Sequence, residues 1–116
     1  MVSMPSQGEV WLVDLDPVVG HEEGKKLRPA VIISDNMLNH GPLQMVIIVP
    51  LTRTRTGFPY HVPIERKVGQ SLVQSYIMCE QVRSISIKRL RRFLGDVVTA
   101  ENLTQIGARL RPLLPV

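Results

Sequence analysis

The chain has a single cysteine, Cys79, in 116 residues. An internal disulfide is therefore excluded, and a reducing cytoplasm is the expected setting. Cys79 sits in the apolar segment Tyr76-Ile77-Met78-Cys79 and reads as a small buried hydrophobe rather than a nucleophile. No apolar run is long enough to cross a bilayer, so no membrane partner is expected. The opening residues, Met1-Val2-Ser3-Met4-Pro5, have neither a charged start nor an apolar core region, and no signal peptide is expected. His21, His40 and His61 do not stand at a metal-binding spacing, and there is no Cys/His cluster; no metal and no other cofactor is expected. Asp14 and Asp16 share a strand face and read as solvating an edge rather than holding Mg²⁺. Ser71 and Ser75 have no Ser-His-Asp context. Repeats, linkers and low-complexity segments are absent, and the length reads as one domain over 1–116.

What the chain does have is basic charge in clusters. The net charge is +4 and the sequence pI about 9.7, which permits an anionic partner without establishing one. Lys25, Lys26 and Arg28 precede the apolar run Val31-Ile32-Ile33. Arg53 and Arg55 follow a second run, Met45-Val46-Ile47-Ile48-Val49. Lys88, Arg89, Arg91 and Arg92 form a third group, readable equally as a solvated face or as an RNA contact.

The segment from Ser34 to Gln44 is rich in Asn, Asp, Gly and Pro and reads as a turn or loop between the two runs. If the runs pair antiparallel, Asp35 faces about Gln44 and Arg28 falls opposite Leu51 or Thr52. A cation and a hydroxyl then share one sheet end, where they could hold a phosphate, with Arg28 as an exposed clamp.

Elsewhere, Gly8 to Leu15 reads as a strand ended by Asp16-Pro17, and Val18 to Leu27 as a flexible loop. Pro63 makes His61-Val62-Pro63-Ile64 an edge or bulged strand. Ser71 to Ile85 offers one long strand or two with a bend. A short helical turn over Ser86 to Arg92 and a last strand over Phe93 to Val98 follow. Thr99 is an N-cap candidate and Glu101 suits the first helical turn. Leu103, Ile106 and Leu110 recur at helical spacing, giving a helix from about Ala100 to Arg111 that Pro112 ends or loosens. Trp11 belongs in the core or at a dimer interface. Many short strands at close spacing predict a mainly β fold, a small barrel with a C-terminal helix.

Five segments carry a resemblance: Gly8-Glu9-Val10-Trp11-Leu12-Val13-Asp14-Leu15-Asp16-Pro17, Gly20-His21-Glu22, Arg28-Pro29-Ala30, Val49-Pro50-Leu51-Thr52 and Glu80-Gln81-Val82-Arg83-Ser84. In this order and spacing the chain resembles the MazF/PemK/Kid toxins of bacterial type II toxin–antitoxin systems. The resemblance implies an SH3-like, CcdB/PemK-type β-barrel with a C-terminal α-helix, working as a homodimer in the cytoplasm. It implies metal-independent endoribonuclease cleavage of single-stranded RNA, leaving 2′,3′-cyclic phosphate and 5′-hydroxyl ends. It also implies a cognate MazE-like antitoxin with an acidic tail, whose complex with the toxin could bind operator DNA. Arg28 and Thr52 match the family's catalytic pair, and Glu22 matches an acidic loop residue tied to activity in some members. Lys25, Lys26, Arg53, Arg55, His61, Gln81 and Arg83 are the candidate RNA-binding residues.

This cleavage needs no outside nucleophile, because the ribose 2′-OH attacks the adjacent phosphorus. The protein must favour in-line geometry, stabilise the growing charge and move two protons. Arg28 suits the charge, through its planar fork, and Thr52 can add one hydrogen bond. Arginine titrates at about 12.5 or above and is a poor base near neutrality, so Glu22 or His61 is the candidate base. By itself, an arginine before a strand proline is ordinarily a surface charge and a threonine after a strand a cap. Two other functions fit the same fold: a CcdB-like toxin that grips gyrase, and a nucleic-acid-binding module that does not cut. The end Leu113-Leu114-Pro115-Val116 lacks the aromatic tail of the gyrase-binding kind.

Overall fold

The computed structural model describes residues 4–15 and 27–115. Seven strands and two helices follow one another as β1 (Glu9–Asp14), β2 (Leu27–Ile32), α1 (Asn36–Asn39), β3 (Met45–Thr52), β4 (His61–Val68), β5 (Ser71–Met78), β6 (Arg83–Ser86), β7 (Leu90–Val97) and α2 (Ala100–Leu113). The strand order is β4-β5-β3-β2-β1-β7, with β6 added alongside β3. Every pairing is antiparallel. The sheet curls into a half-barrel in which β4 and β7 remain the edge strands.

β3 organises this curl because it is shared. Its first half, Met45 to Ile48, pairs with β6, while Leu51 and Thr52 pair with β5. Along its other side Ile48, Val49 and Pro50 pair with Ile32, Val31 and Ala30 of β2. Side chains alternate across such a strand, and here both faces are buried, so the run is continuously apolar rather than alternating. One face carries Val10, Val31, Val49, Leu51, Val62, Ile64 and Ile77, covered by Ile106, Leu103 and Leu110 of α2. The other carries Trp11, Val13, Ala30, Ile32, Val46, Ile48 and Ile85. Trp11 is thus a core residue; its ring lies 5.8 Å from that of Phe93.

Pro63 lies in β4, the edge strand, where its missing N–H costs no ladder bond. The expected Ser71 to Ile85 segment is two strands separated by a 3₁₀ turn at Cys79–Gln81. The expected helical turn over Ser86 to Arg92 is confined to Ile87–Arg89, and Leu90 already belongs to β7, where it pairs with Val13. The loop expected over Ser34 to Gln44 contains a helical turn, α1, capped by Asp35, whose side chain accepts from the Met37 N–H at 2.8 Å.

Thr99 caps α2, its hydroxyl oxygen accepting from the Asn102 N–H at 3.0 Å, with Glu101 in the first turn. Pro112 does not end this helix, which runs on to Leu113. Only one backbone donor is lost to the ring, and the Leu114 N–H still reaches the Leu110 carbonyl at 2.7 Å.

Candidate active site

The register of β2 on β3, extended by two residues from Ala30 and Pro50, sets Arg28 opposite Thr52. Arg28 shares its sheet face with Ala30 and Ile32, and Thr52 shares the same face through Pro50. The sequence expectation for the pair is therefore met in geometry. Its exposure is not. Arg28 is only 8 % exposed, because β1 and β3 flank it on both sides, and its Nη1 donates to the Leu51 carbonyl at 3.1 Å. It is a buried guanidinium fixed to the neighbouring strand, not a solvated clamp.

Thr52 is half-buried. Its hydroxyl oxygen accepts from the Thr54 N–H at 3.1 Å. A hydroxyl has two acceptor lone pairs and one donor, so that contact leaves the Thr52 O–H able to donate elsewhere.

Around this pair the sheet end opens into a cleft of about 330 Å³. Its lining includes Arg28, Thr52, Arg53, Arg66 and Ser75, and no acidic residue among the described residues. Three arginines, with no carboxylate among the described lining residues, make a site for an anion. Arg53 and Arg55 are exposed, and Arg53 reaches the cleft whereas Arg55 stands beyond it in the β3–β4 connection.

His61 is not brought to this cleft. It is buried, with Nε2 2.9 Å from Glu80 Oε2 and Nδ1 3.2 Å from the Thr56 hydroxyl. The Phe58 ring meets it edge-on at 5.5 Å. These contacts tether the β3–β4 connection. Gln81 lies in the 3₁₀ turn and Arg83 in β6 opposite Ile48, so neither lines the cleft. Glu22, Lys25 and Lys26 lie outside the described residues, as does Asp16. Asp14 is held by Arg91, Nη2 to Oδ2 at 2.9 Å.

Arg66 and Ser75 escaped the sequence reading. Arg66 is 8 % exposed and Ser75 2 %. A signal was present: in Val62-Pro63-Ile64-Glu65-Arg66 the alternation that turns Val62 and Ile64 inward turns Arg66 inward too. An inward arginine at the end of an apolar stripe demands a partner, here Asp96. Among the described residues no three His, Cys, Asp or Glu side chains stand close enough to hold a metal ion, and no helix is long and apolar enough to cross a membrane.

The profile of PemK-like, MazF-like toxins of type II toxin–antitoxin systems matches residues 6–114. Endoribonuclease MazF9 of Mycobacterium tuberculosis is 34% identical over 113 residues, covering 93% of this chain and 94% of that protein. The crystal structure of MazF (Form-I) from Deinococcus radiodurans is similar with a TM-score of 0.85 at 23% identity, over 99% of this chain and 100% of that one. An endoribonuclease from a mycobacterial species, in complex with its cognate antitoxin, gives a TM-score of 0.74 at 24% identity, over 97% and 96% of the two chains. At such identities the two structures bear on the fold, and they agree with the curled sheet and its C-terminal helix.

Proposed function

The chain belongs to the PemK-like, MazF-like toxins of type II toxin–antitoxin systems, and we propose that it is an endoribonuclease that cuts single-stranded RNA without a metal. The observation that carries this reading is the cross-strand pair Arg28 and Thr52, set at an arginine-lined cleft. The relative named as an endoribonuclease, alike over nearly its whole length, supports it.

The ribose 2′-oxygen attacks the adjacent phosphorus in line. The P–O5′ bond breaks as the new P–O2′ bond forms, giving a 2′,3′-cyclic phosphate and a 5′-hydroxyl. One proton leaves the 2′-OH and one is delivered to the departing 5′-oxygen. Arg28 meets the non-bridging oxygens as their charge grows, with the Leu51 carbonyl holding its guanidinium in place. Because that geometry is set before substrate arrives, little is spent on reorganisation. Thr52 donates its hydroxyl proton to the same group. With His61 committed to Glu80 and Thr56, Glu22 is the remaining candidate base from the sequence. Arg53 and Arg55, with Lys25 and Lys26, contact flanking RNA. The protein works in the cytoplasm as a homodimer, held in check by an antitoxin with an acidic segment.

Purified protein incubated with end-labelled RNA in EDTA tests this. Cleavage to 5′-hydroxyl and 2′,3′-cyclic phosphate ends is the expected result. RNA binding without cleavage, or inhibition of gyrase instead, would overturn it. Sequencing the new 5′-hydroxyl ends would give the recognised motif.

A further inference from the structure

Arg66 is the least ordinary residue near the cleft that the reaction above does not use. It stands on the edge strand β4, and Asp96 stands on the other edge strand, β7. Its Nε donates to Asp96 Oδ2 at 2.8 Å and its Nη2 to Asp96 Oδ1 at 3.1 Å. This side-on ion pair ties the two edges of the half-barrel together. It occupies only part of the guanidinium: of its five N–H donors the pair takes two. Nη1 takes no part in the pair. Asp96 does not line the cleft, whereas Arg66 does. Among the described residues the cleft is therefore lined by the cation and not by its counter-charge.

A role in seam closure alone does not account for the presence of Arg66 in the lining of a basic cleft. Arg66 also enters the cleft from a different side than Arg28 and Thr52. Strand alternation sets Arg28 and Thr52 on the face that carries Ala30 and Ile32, and Arg66 and Ser75 on the face that carries Ile64 and Ile77. The cleft opens at the sheet end, where both faces are reached. An RNA strand passing over that end meets Arg28 with one phosphate and Arg66 with another.

We infer that Arg66, steadied by Asp96, is a second phosphate-binding residue that grips a phosphodiester flanking the one cut. This rests on the reading of the cleft as an RNA site. The flanking phosphate does not change charge during cleavage. Arg66 therefore contributes to binding in ground and transition state alike, and its loss raises KM with kcat nearly unchanged.

The test is binding of a fluorescein-labelled, fully 2′-O-methylated RNA of about twelve nucleotides, which cannot be cut by attack of its own ribose. Affinity is measured against salt for wild type, Arg66→Gln, Asp96→Asn and the double variant. One phosphate contact in a single strand contributes about 0.7 to the slope of log K against log salt. Arg66→Gln should bind several-fold more weakly and lose about that much slope. Asp96→Asn, which keeps the guanidinium and removes its counter-charge, should bind at least as tightly as wild type. The double variant, which removes both members of the pair, should match Arg66→Gln in slope and serves if the single variant does not fold. An unchanged slope in whichever of these two is folded would overturn the inference. So would equal loss of binding in Asp96→Asn and Arg66→Gln, which is the signature of a purely structural seam. Cleavage of ordinary RNA by the wild type is scored separately. A wild type that binds but never cuts would sink the ribonuclease reading and leave the slope comparison intact. A wild type that cuts, beside an Arg66→Gln variant of normal slope, would sink only the role of Arg66.

Discussion

Arg28 donates from Nη1 to the carbonyl oxygen of Leu51 at 3.1 Å, one residue before Thr52 on the neighbouring strand. The backbone that carries the hydroxyl thus also aims the guanidinium. Removing Arg28 should cost on the order of 100- to 1,000-fold in cleavage rate, as for the loss of one preorganised charge contact. Because the residue is 8 % exposed, Arg28→Ala should also lower the melting temperature, so rate and thermal stability must be read together. Arg28→Lys should keep most of the stability and still be slow, since a point charge cannot reproduce the fork. Near-normal turnover in either folded variant would remove Arg28 from the mechanism.

Thr52 accepts from Thr54 N–H and keeps its own proton to give. Thr52→Ala should slow the chemical step more than it weakens RNA binding, because the hydroxyl meets charge that develops in the transition state. Thr52→Ser retains both the acceptor and the donor and should keep much of the activity. Single-turnover rates and RNA affinities for the two variants separate the cases. Equal loss in both, with both folded, would mean that Thr52 acts through packing.

Cys79 is buried, and burial pushes its thiol up to about 11 from an ordinary 9.0, with Arg109 drawing it down and Glu80 raising it. The folded chain therefore holds this proton more tightly than the unfolded chain does. The resulting stabilisation is present below pH about 9 and is lost as the pH rises through about 11. Chemical denaturation across that window should show a steeper alkaline loss of stability in wild type than in Cys79→Ala. Parallel curves would refute the assignment. Thiol-specific reagents at neutral pH should modify the native protein only as fast as it opens.

Much of the fold was legible because its signals are local. The Thr99 cap and the spacing of Leu103, Ile106 and Leu110 specify α2, and the two apolar runs around Ser34 to Gln44 specify the β2–β3 pairing that sets Arg28 opposite Thr52. What escaped depended on contacts distant in sequence. The burial of Arg28 comes from strands on both sides of it, and the role of Arg66 comes from Asp96, thirty residues away. His61 looked available for catalysis until its ring nitrogens were seen to be engaged by Thr56 and Glu80. Pro112 looked like a stop, but a proline in a helix's last turn removes a single donor.

The antitoxin should bind through an acidic, flexible segment laid over the basic sheet end. Arg53 and Arg55 are exposed, so both can reach a carboxylate on a partner. Arg53 also lines the cleft beside Arg28 and Thr52, so an acidic segment paired with it would lie where the scissile phosphate must enter. Inhibition should then be competitive with RNA. A disordered acidic chain could order on this surface as it binds, and charges at the rim would speed encounter, so affinity should fall as salt rises. Titration of the antitoxin encoded beside this toxin, against wild type and Arg53→Glu/Arg55→Glu, decides the matter. The variant should bind more weakly, chiefly through slower association, and with a shallower salt dependence. Extending it with Lys25→Glu/Lys26→Glu should deepen both effects if those lysines join the same surface. Unchanged affinity and an unchanged salt slope in the four-fold variant would place the antitoxin on another face of the protein.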